Sequence, residues 1–245
     1  MILAVDCGNT RLKWGLYQDG DWRRTAVVAI TDLAKLEKHW KRVGPAGRVV
    51  VANVAGTVVR RKLGSIFSRL SLHVTWVEPK RQQCGVTNGY RSPRQLGADR
   101  WAALIGAQSL GGGPCLVVMA GTATTADILE DDGRFAGGVI LPGVDLMKRS
   151  LVKHTAGLAH AKGRFAAHPG RTADAIETGC LLAQAGAIER MLASMPPGAE
   201  CLIAGGAAAR IVPHLRIRPR QVDNLVLEGL LRIAIEPTER KGVPA

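Results

Sequence analysis

Apolar and polar positions along this chain switch between two spacings, and the switches outline its elements. Residues 2–6 (ILAVD) form an apolar run that closes on a carboxylate, the pattern of a buried strand. The stretch "LKWGLYQDGDWRRTAVV" alternates on both sides of Asp19–Gly20, a dipeptide suited to a tight hairpin turn. In "TDLAKLEKHWKRV" apolar positions recur at helical spacing behind Thr31, which predicts an amphipathic helix capped by that threonine. "RVVVANVAG" reads as a buried strand, "TVVRRKLGSIFSRL" as a helix and "HVTWVE" as a short strand. A polar loop, "PKRQQCGVTNGYRSPRQLG", leads to a helix from about Ala98 to Leu110.

After "GGGP" the order starts again. "CLVVMAG" is a strand, "TATTADILEDDGRFAGGVILPG" a hairpin through Asp132–Gly133, and "GVDLMKRSLVKHTAGL" a helix. A further helix runs through "TADAIETGCLLAQAGAIERMLASM". The strand "CLIAGG", the short "AAARIVPHL" and a closing helix "LVLEGLLRIAIE" follow. The openings "VDCGNTRLKWGLYQDGDW" and "VMAGTATTADILEDDGRF" echo each other. Two similarly built halves, 1–110 and 111–245, would face their glycine turns across a cleft.

Composition narrows the class. Hydrophobic residues make up 47% and aromatics only 4%, with 29 glycines, which suits an α/β domain rather than a disordered or fibrous chain. The uncharged stretch from Trp101 to Ala126 is long enough to raise a membrane span. The "GGGPC" within it favours two elements joined by a turn. Five scattered cysteines without a CxxC pair argue against a disulfide framework or a zinc site and fit a reducing cytoplasm. The early Asp6 argues against a secretory leader. The net charge of +13 suits an anionic partner, but the basic residues are dispersed and no aromatic stacking platform accompanies them, so nucleic acid is not the expected partner.

Four segments carry candidate chemistry. In Asp6-Cys7-Gly8-Asn9-Thr10, glycine admits a close ligand and successive N–H groups can cradle an anion. Lys13 adds a cation, and Asp6 could hold Mg²⁺ directly or through water; an Asx-stabilised turn explains the same residues equally well. Gly121-Thr122-Ala123-Thr124-Thr125 offers hydroxyl donors, although threonine is also an ordinary strand residue. Ala204-Gly205-Gly206-Ala207 is either a seat for a flat base or a plain strand-to-helix connection. Gly97-Ala98-Asp99-Arg100 marks a loop becoming a helix, where Asp99 complements the helix dipole. Asp99 and Arg100 would project about 100° apart, so that one could address a hydroxyl and the other a carboxylate. No GxxxxGK[ST], GxGxxG, HExxH or GxSxG occurs.

"DCGNT", "AGTATT" and "LIAGGAAA" resemble the first phosphate, second phosphate and adenosine motifs of the acetate and sugar kinase/Hsp70/actin superfamily. "GYRSPRQLGADRWAA", "GTATTAD…DGRFAGGVILPG", "HTAGL" and "RTADAIETG" resemble, more narrowly, type III pantothenate kinase. The resemblance implies two similar RNase H-like (actin-like ATPase) domains flanking a nucleotide cleft. It also implies ATP-dependent phosphorylation of pantothenate in the first step of coenzyme A synthesis. By that likeness Asp6 organises Mg²⁺, while Cys7, Gly8, Asn9, Thr10, Arg11, Leu12, Lys13 and Thr122 line the ATP path. Tyr90, Gly97, Ala98, Asp99, Arg100 and Thr172 hold pantothenate, with Asp99 as general base and Arg100 as carboxylate partner. The family also implies a homodimer that shares the pantothenate pocket. Where many members carry an acid for a monovalent cation (K⁺ or NH₄⁺), this chain has Met119, a poor ligand for a hard cation and a natural strand residue. The alternatives are a related kinase of another small alcohol and a non-catalytic regulatory or nucleic-acid-binding member.

Overall fold

The computed structural model describes residues 1–43, 47–155 and 162–236. Strands β1 (Ile2–Cys7), β2 (Arg11–Gln18) and β3 (Asp21–Ala29) form an antiparallel meander. Asp19 and Gly20 both take positive φ (51° and 84°), the backbone a two-residue hairpin turn demands. Helix α1 (Ala34–Val43), β4 (Arg48–Asn53), α2 (Gly56–Arg69) and β5 (Val74–Trp76) complete a sheet of order β3-β2-β1-β4-β5. No threonine cap forms: residues Ile30–Asp32 wind into a 3₁₀ turn, and the Thr31 hydroxyl donates to Asp32 Oδ1 (3.3 Å).

The second half repeats this build. Strands β8 (Cys115–Ala120), β9 (Ala123–Leu129), β10 (Arg134–Pro142), β11 (Glu200–Ala204) and β12 (Arg220–Gln221) run in the order β12-β11-β8-β9-β10. As in the first sheet, the opening strand is antiparallel to the next and parallel to the strand that follows the helices. Helices α4 (Val144–His154) and α5 (Thr172–Leu192) precede β11, and α6 (Ala208–Ile211) follows it. Residues 156–158 of "HTAGL" and residues 237–245 lie outside the described residues.

One difference from the expected order matters. The polar stretch 79–97 contains two short strands, β6 (Gln82–Gln83) and β7 (Val86–Asn88), and β7 pairs in parallel with β10. This part of the first half therefore extends the second sheet to seven strands. Two- and three-residue strands are too short to leave a period in the sequence, and β12 was hidden for the same reason. The uncharged stretch from Trp101 to Ala126 divides into α3 (Ala98–Gln108), a glycine turn and β8. Among the described residues no helix is long and apolar enough to cross a membrane.

Strand periodicity sorts the core into three layers. Leu3, Val5 and Cys7 of β1 join Val49 and Val51 of β4 under α1 and α2, around Trp14, Trp40 and Phe67. Ala4, Val50 and Ala52 face the other way, onto α3 and α7 (Leu225–Ile235). Those two helices also cover Val117 and Leu202 of the second sheet, whose far face (Leu116, Val118, Ala126) packs under α5. One helical pair thus serves both sheets. It fits because glycines sit at its crossing: a Cβ on Gly229 would lie 1.7 Å from Ala102 O, and one on Gly106 would lie 2.3 Å from Leu225 O. Helix α7 also ties the sheets together by hydrogen bonds. Its Ala234 carbonyl accepts from Arg48 of β4, and Glu236 just beyond it accepts from Gln83 Nε2 (2.9 Å) and from the Cys84 N–H (2.7 Å). All five cysteines are free thiols, as their spacing implied.

Candidate active site

Three turns meet at the carboxyl ends of β1, β8 and β11, where ligands commonly bind in open α/β sheets. The first turn, Gly8-Asn9-Thr10, is closed by the Gly8 N–H donating to Arg11 O (3.1 Å), and it pairs Asp6 with Lys13 across β1 and β2. The second is closed by the Gly121 N–H donating to Ala123 O (3.0 Å). The Thr10 and Thr122 hydroxyls stand 2.9 Å apart, so the two turns touch. The third turn hangs on the end of β8: Gly205 has φ 105°, and the Ala207 N–H donates to Ala120 O (3.1 Å). A Cβ on Gly205 would strike Ala120 O at 2.2 Å, whereas one on Gly206 would make only an ordinary contact with Arg11 Nη1 at 3.5 Å. Bare backbone and hydroxyls on three sides make a receptacle for an anion with a flat group attached.

Asp6 follows Ala4 in the two-residue strand period and so points away from the first sheet's outer core, toward the start of α3. Among the described residues its carboxylate takes no hydrogen bond. Burial pushes its pKa up from 3.8 to about 7, helped by repulsion from Asp99 and opposed by Lys13. A half-buried carboxylate without a hydrogen-bond partner among the described residues fits a hard divalent cation. No group of three or more His, Cys, Asp or Glu stands ready among the described residues, so such an ion would need further oxygens from a ligand and from water, as Mg²⁺ does. Cys7 and Leu12 are fully buried, and burial pushes the Cys7 thiol up to about 12. Of these two, only the main chain faces the turn.

Helix α3 begins at Gly97, whose carbonyl accepts the first helical bond from the Trp101 N–H (2.9 Å). A Cβ at Gly97 would lie 2.5 Å from Asp99 Oδ1, so only glycine lets that carboxylate fold back to accept the Arg100 N–H (2.8 Å). Burial raises the Asp99 pKa, and the hydrogen bond from the Arg100 N–H partly offsets the rise. The Arg100 guanidinium turns away from Asp99 and is only 5% exposed. Its Nε donates to Asp127 Oδ2 (3.0 Å), Nη2 to Asp127 Oδ1, and Nη1 to the Tyr90 hydroxyl (3.2 Å). Its flat face lies near the rings of Tyr90 and Phe135 (5.8 and 5.7 Å). Two guanidinium hydrogens, one each on Nη1 and Nη2, remain for another acceptor.

Asp127 was missed from the sequence, although a carboxylate two residues after Thr125 in an otherwise apolar strand was the available signal. It stands on β9 opposite Val117, on the face that meets α3, and is 1% exposed. Met119 shares that face, opposite Thr125, and packs against the central core. Thr172, the first residue of α5, is exposed and makes no hydrogen bond with Tyr90, Asp99 or Arg100 among the described residues.

Comparison with known proteins agrees with this geometry. The family model for type III pantothenate kinase matches residues 2–194. The type III pantothenate kinase of Azoarcus sp. (strain BH72) is 49% identical over 96% of this chain and 90% of its own. That of Nitrosospira multiformis is 45% identical over 98% and 93%. A solved structure of a candidate 2-dehydro-3-deoxygalactonokinase from Sinorhizobium meliloti shares the fold: TM-score 0.66, 20% identity, 97% of this chain and 100% of that one. Two sheets of one strand order, with glycine turns meeting at a single mouth, define an actin-like ATPase fold of the sugar-kinase kind. Within that class the chain belongs to the type III pantothenate kinase family.

The raised Asp6 pKa carries a stability consequence of fixed sign. The folded state holds this proton more tightly than the unfolded one, so the stabilisation is complete below pH 3.8 and disappears as pH rises to about 7. In the metal-free protein Asp6→Asn is expected to flatten that part of the curve. Relative to the native chain its urea midpoint should rise between about pH 4 and pH 8. Parallel midpoints across that range would show that Asp6 is not desolvated.

Proposed function

We propose that the chain transfers the γ-phosphoryl group of ATP to the primary hydroxyl of pantothenate, forming 4′-phosphopantothenate for coenzyme A synthesis. Family membership supports the reaction. The observation that carries it to particular residues is that Val54, whose N–H donates to Cys7 O (3.0 Å) at the first turn, also lies beside Gly97 at the start of α3 (3.7 Å from a Cβ built there), so Asp99 stands near Asp6. A proton acceptor and a phosphate turn therefore share one mouth. The first turn, from Asp6 to Lys13, receives the triphosphate from one side and Thr122 from the other, with the Thr10–Thr122 contact marking where they close. Adenosine lies along Gly205–Gly206. Asp6 would hold a divalent ion, which would supply charge neutralisation at the phosphates and favour the ionised Asp6 carboxylate.

The acceptor lies between Tyr90 and the start of α3, where the two spare N–H groups of Arg100 meet its carboxylate. Its hydroxyl oxygen attacks the γ-phosphorus as the bond to the β–γ bridging oxygen breaks, and ADP departs. The hydroxyl proton passes to Asp99. Phosphoryl transfer is loose in character, so alignment and charge neutralisation supply most of the rate and the base acts late. Burial helps by lifting Asp99 toward the working pH. A coupled assay with purified protein, ATP, Mg²⁺ and pantothenate tests the reaction. In it, Asp99→Asn should lower kcat by roughly 100-fold or more with the pantothenate KM little changed. Near-native turnover in that variant would remove Asp99 from the role of base. Turnover only with another small alcohol would overturn the acceptor.

Met119 packs against the central core rather than offering oxygen, so the chain works without a monovalent cation bound there. Potassium titration should leave the rate unchanged; strong activation would mean that other groups build such a site. We also assign a homodimer, with Thr172 of one copy completing the pocket of the other. Supporting this, Val139 on β10, Leu146 and Leu151 on α4 and Leu182 on α5 leave apolar side chains exposed, and Thr172 begins that same α5. Light scattering should give twice the 26.1 kDa chain mass, and a monomer mass at assay concentration would refute the shared pocket.

A further inference from the structure

Arg81 belongs to none of the motifs that mark the phosphate turns or the start of α3, and it lies in the link between β5 and β6. Its side chain nonetheless serves three main-chain acceptors. Nη1 donates to the carbonyls of Asn88 (2.8 Å) and Tyr90 (2.9 Å), and Nη2 to that of Arg91 (3.0 Å). The Asn88 N–H returns a bond to Arg81 O (2.8 Å). Asn88 itself is 1% exposed. Its Oδ1 accepts the Tyr90 N–H (3.0 Å), and its Nδ2 donates toward Pro93 O (3.4 Å). One guanidinium and one buried amide therefore shape the backbone from residue 88 to residue 93.

The use of arginine here is informative. The residue is exposed, so its N–H groups could all be satisfied by water, yet among the described residues none meets a carboxylate and three are spent on carbonyls. Such an arrangement needs the planar fork, because an ammonium cannot hold three acceptors at set angles in one plane. What the fork holds is the turn bearing Tyr90. That ring packs against Phe135 (centroids 5.1 Å apart), and its hydroxyl meets Arg100 Nη1 (3.2 Å). A shift of the 88–91 backbone would move the phenol relative to Arg100, whose other contacts tie it firmly to Asp127.

We propose that Arg81 is a positioning residue for the acceptor: it holds the 88–93 turn so that Tyr90 closes the acceptor side of the mouth beside Arg100. This rests on the assignment of Tyr90 to the acceptor pocket. The side-chain bonds of Arg81 among the described residues all go to the 88–91 backbone and none to a phosphate turn, so its removal should separate the two substrates. In the full-length protein Arg81→Ala should raise the pantothenate KM by about tenfold, with the KM for ATP changed by less than about twofold and the melting temperature near native. Arg81→Lys, which keeps the charge and loses the fork, should remain impaired to a similar degree. Amide hydrogen exchange gives a second readout independent of turnover. Protection should fall in Arg81→Ala at residues 89–95 and stay native in β1, β8 and α3.

An unchanged pantothenate KM together with an unchanged exchange map overturns the proposal. Equal increases in both KM values with a lowered melting temperature also overturn it, because they describe general loosening. Full rescue by Arg81→Lys would reduce the role to one of charge and count against the fork. If the native protein fails to phosphorylate pantothenate, the acceptor reading falls by itself, and the exchange map alone then judges whether Arg81 holds the turn.

Discussion

The buried pair between Arg100 and Asp127 is the contact on which the site depends. Bringing two charges out of water is costly, and a pair like this persists only when the geometry is good and the remaining polar atoms are satisfied. Here the geometry is good, and all but two of the guanidinium N–H groups are satisfied. The fork meets the carboxylate through two nitrogens, and the third nitrogen finds a phenol. The pair joins the first turn of α3 to β9, so it fixes the middle helical layer against the second sheet at the mouth of the cleft. It also governs the neighbouring residue. Asp127 draws the Arg100 guanidinium away from Asp99, whose carboxylate among the described residues accepts a main-chain N–H and no side-chain donor.

The second constraint is repetition. A strand followed by a glycine turn and a hairpin, used twice in sheets of the same order, places two similar glycine turns at equivalent points. Stacking the two sheets on one shared helical pair then brings those points into contact, as the threonine hydroxyls show. The shared pair has to be thin. Gly106 and Gly229 let α3 and α7 approach backbone to backbone, and Ala4 and Ala52 keep the first sheet's inner face shallow beneath them. A larger residue at the crossing would separate the sheets and, with them, the turns.

Much of this was legible from residue order. The strands and helices of both halves, the hairpin turns and the echo between "VDCGNT" and "VMAGTATT" all reflect local patterns that a chain carries wherever it is placed. The need for glycine at 97 was not read from the sequence, because it depends on the rotamer that folds the Asp99 carboxylate back. The two-residue strands, the failed Thr31 cap and the connection of β7 to β10 were not legible. Short strands leave no period, and a cap depends on how the preceding strand delivers the chain.

Local chemistry was thus set by the amino-acid order: which turns can hold an anion, which carboxylates stand at element ends, and that two similar halves exist. Partnership was decided only by the fold. Whether Arg100 would answer to Asp99 or to Asp127, and how far Asp6 would be desolvated, depend on residues distant in the chain. Such pairings arise when packing removes water and forces each buried charge and each main-chain carbonyl to find a partner.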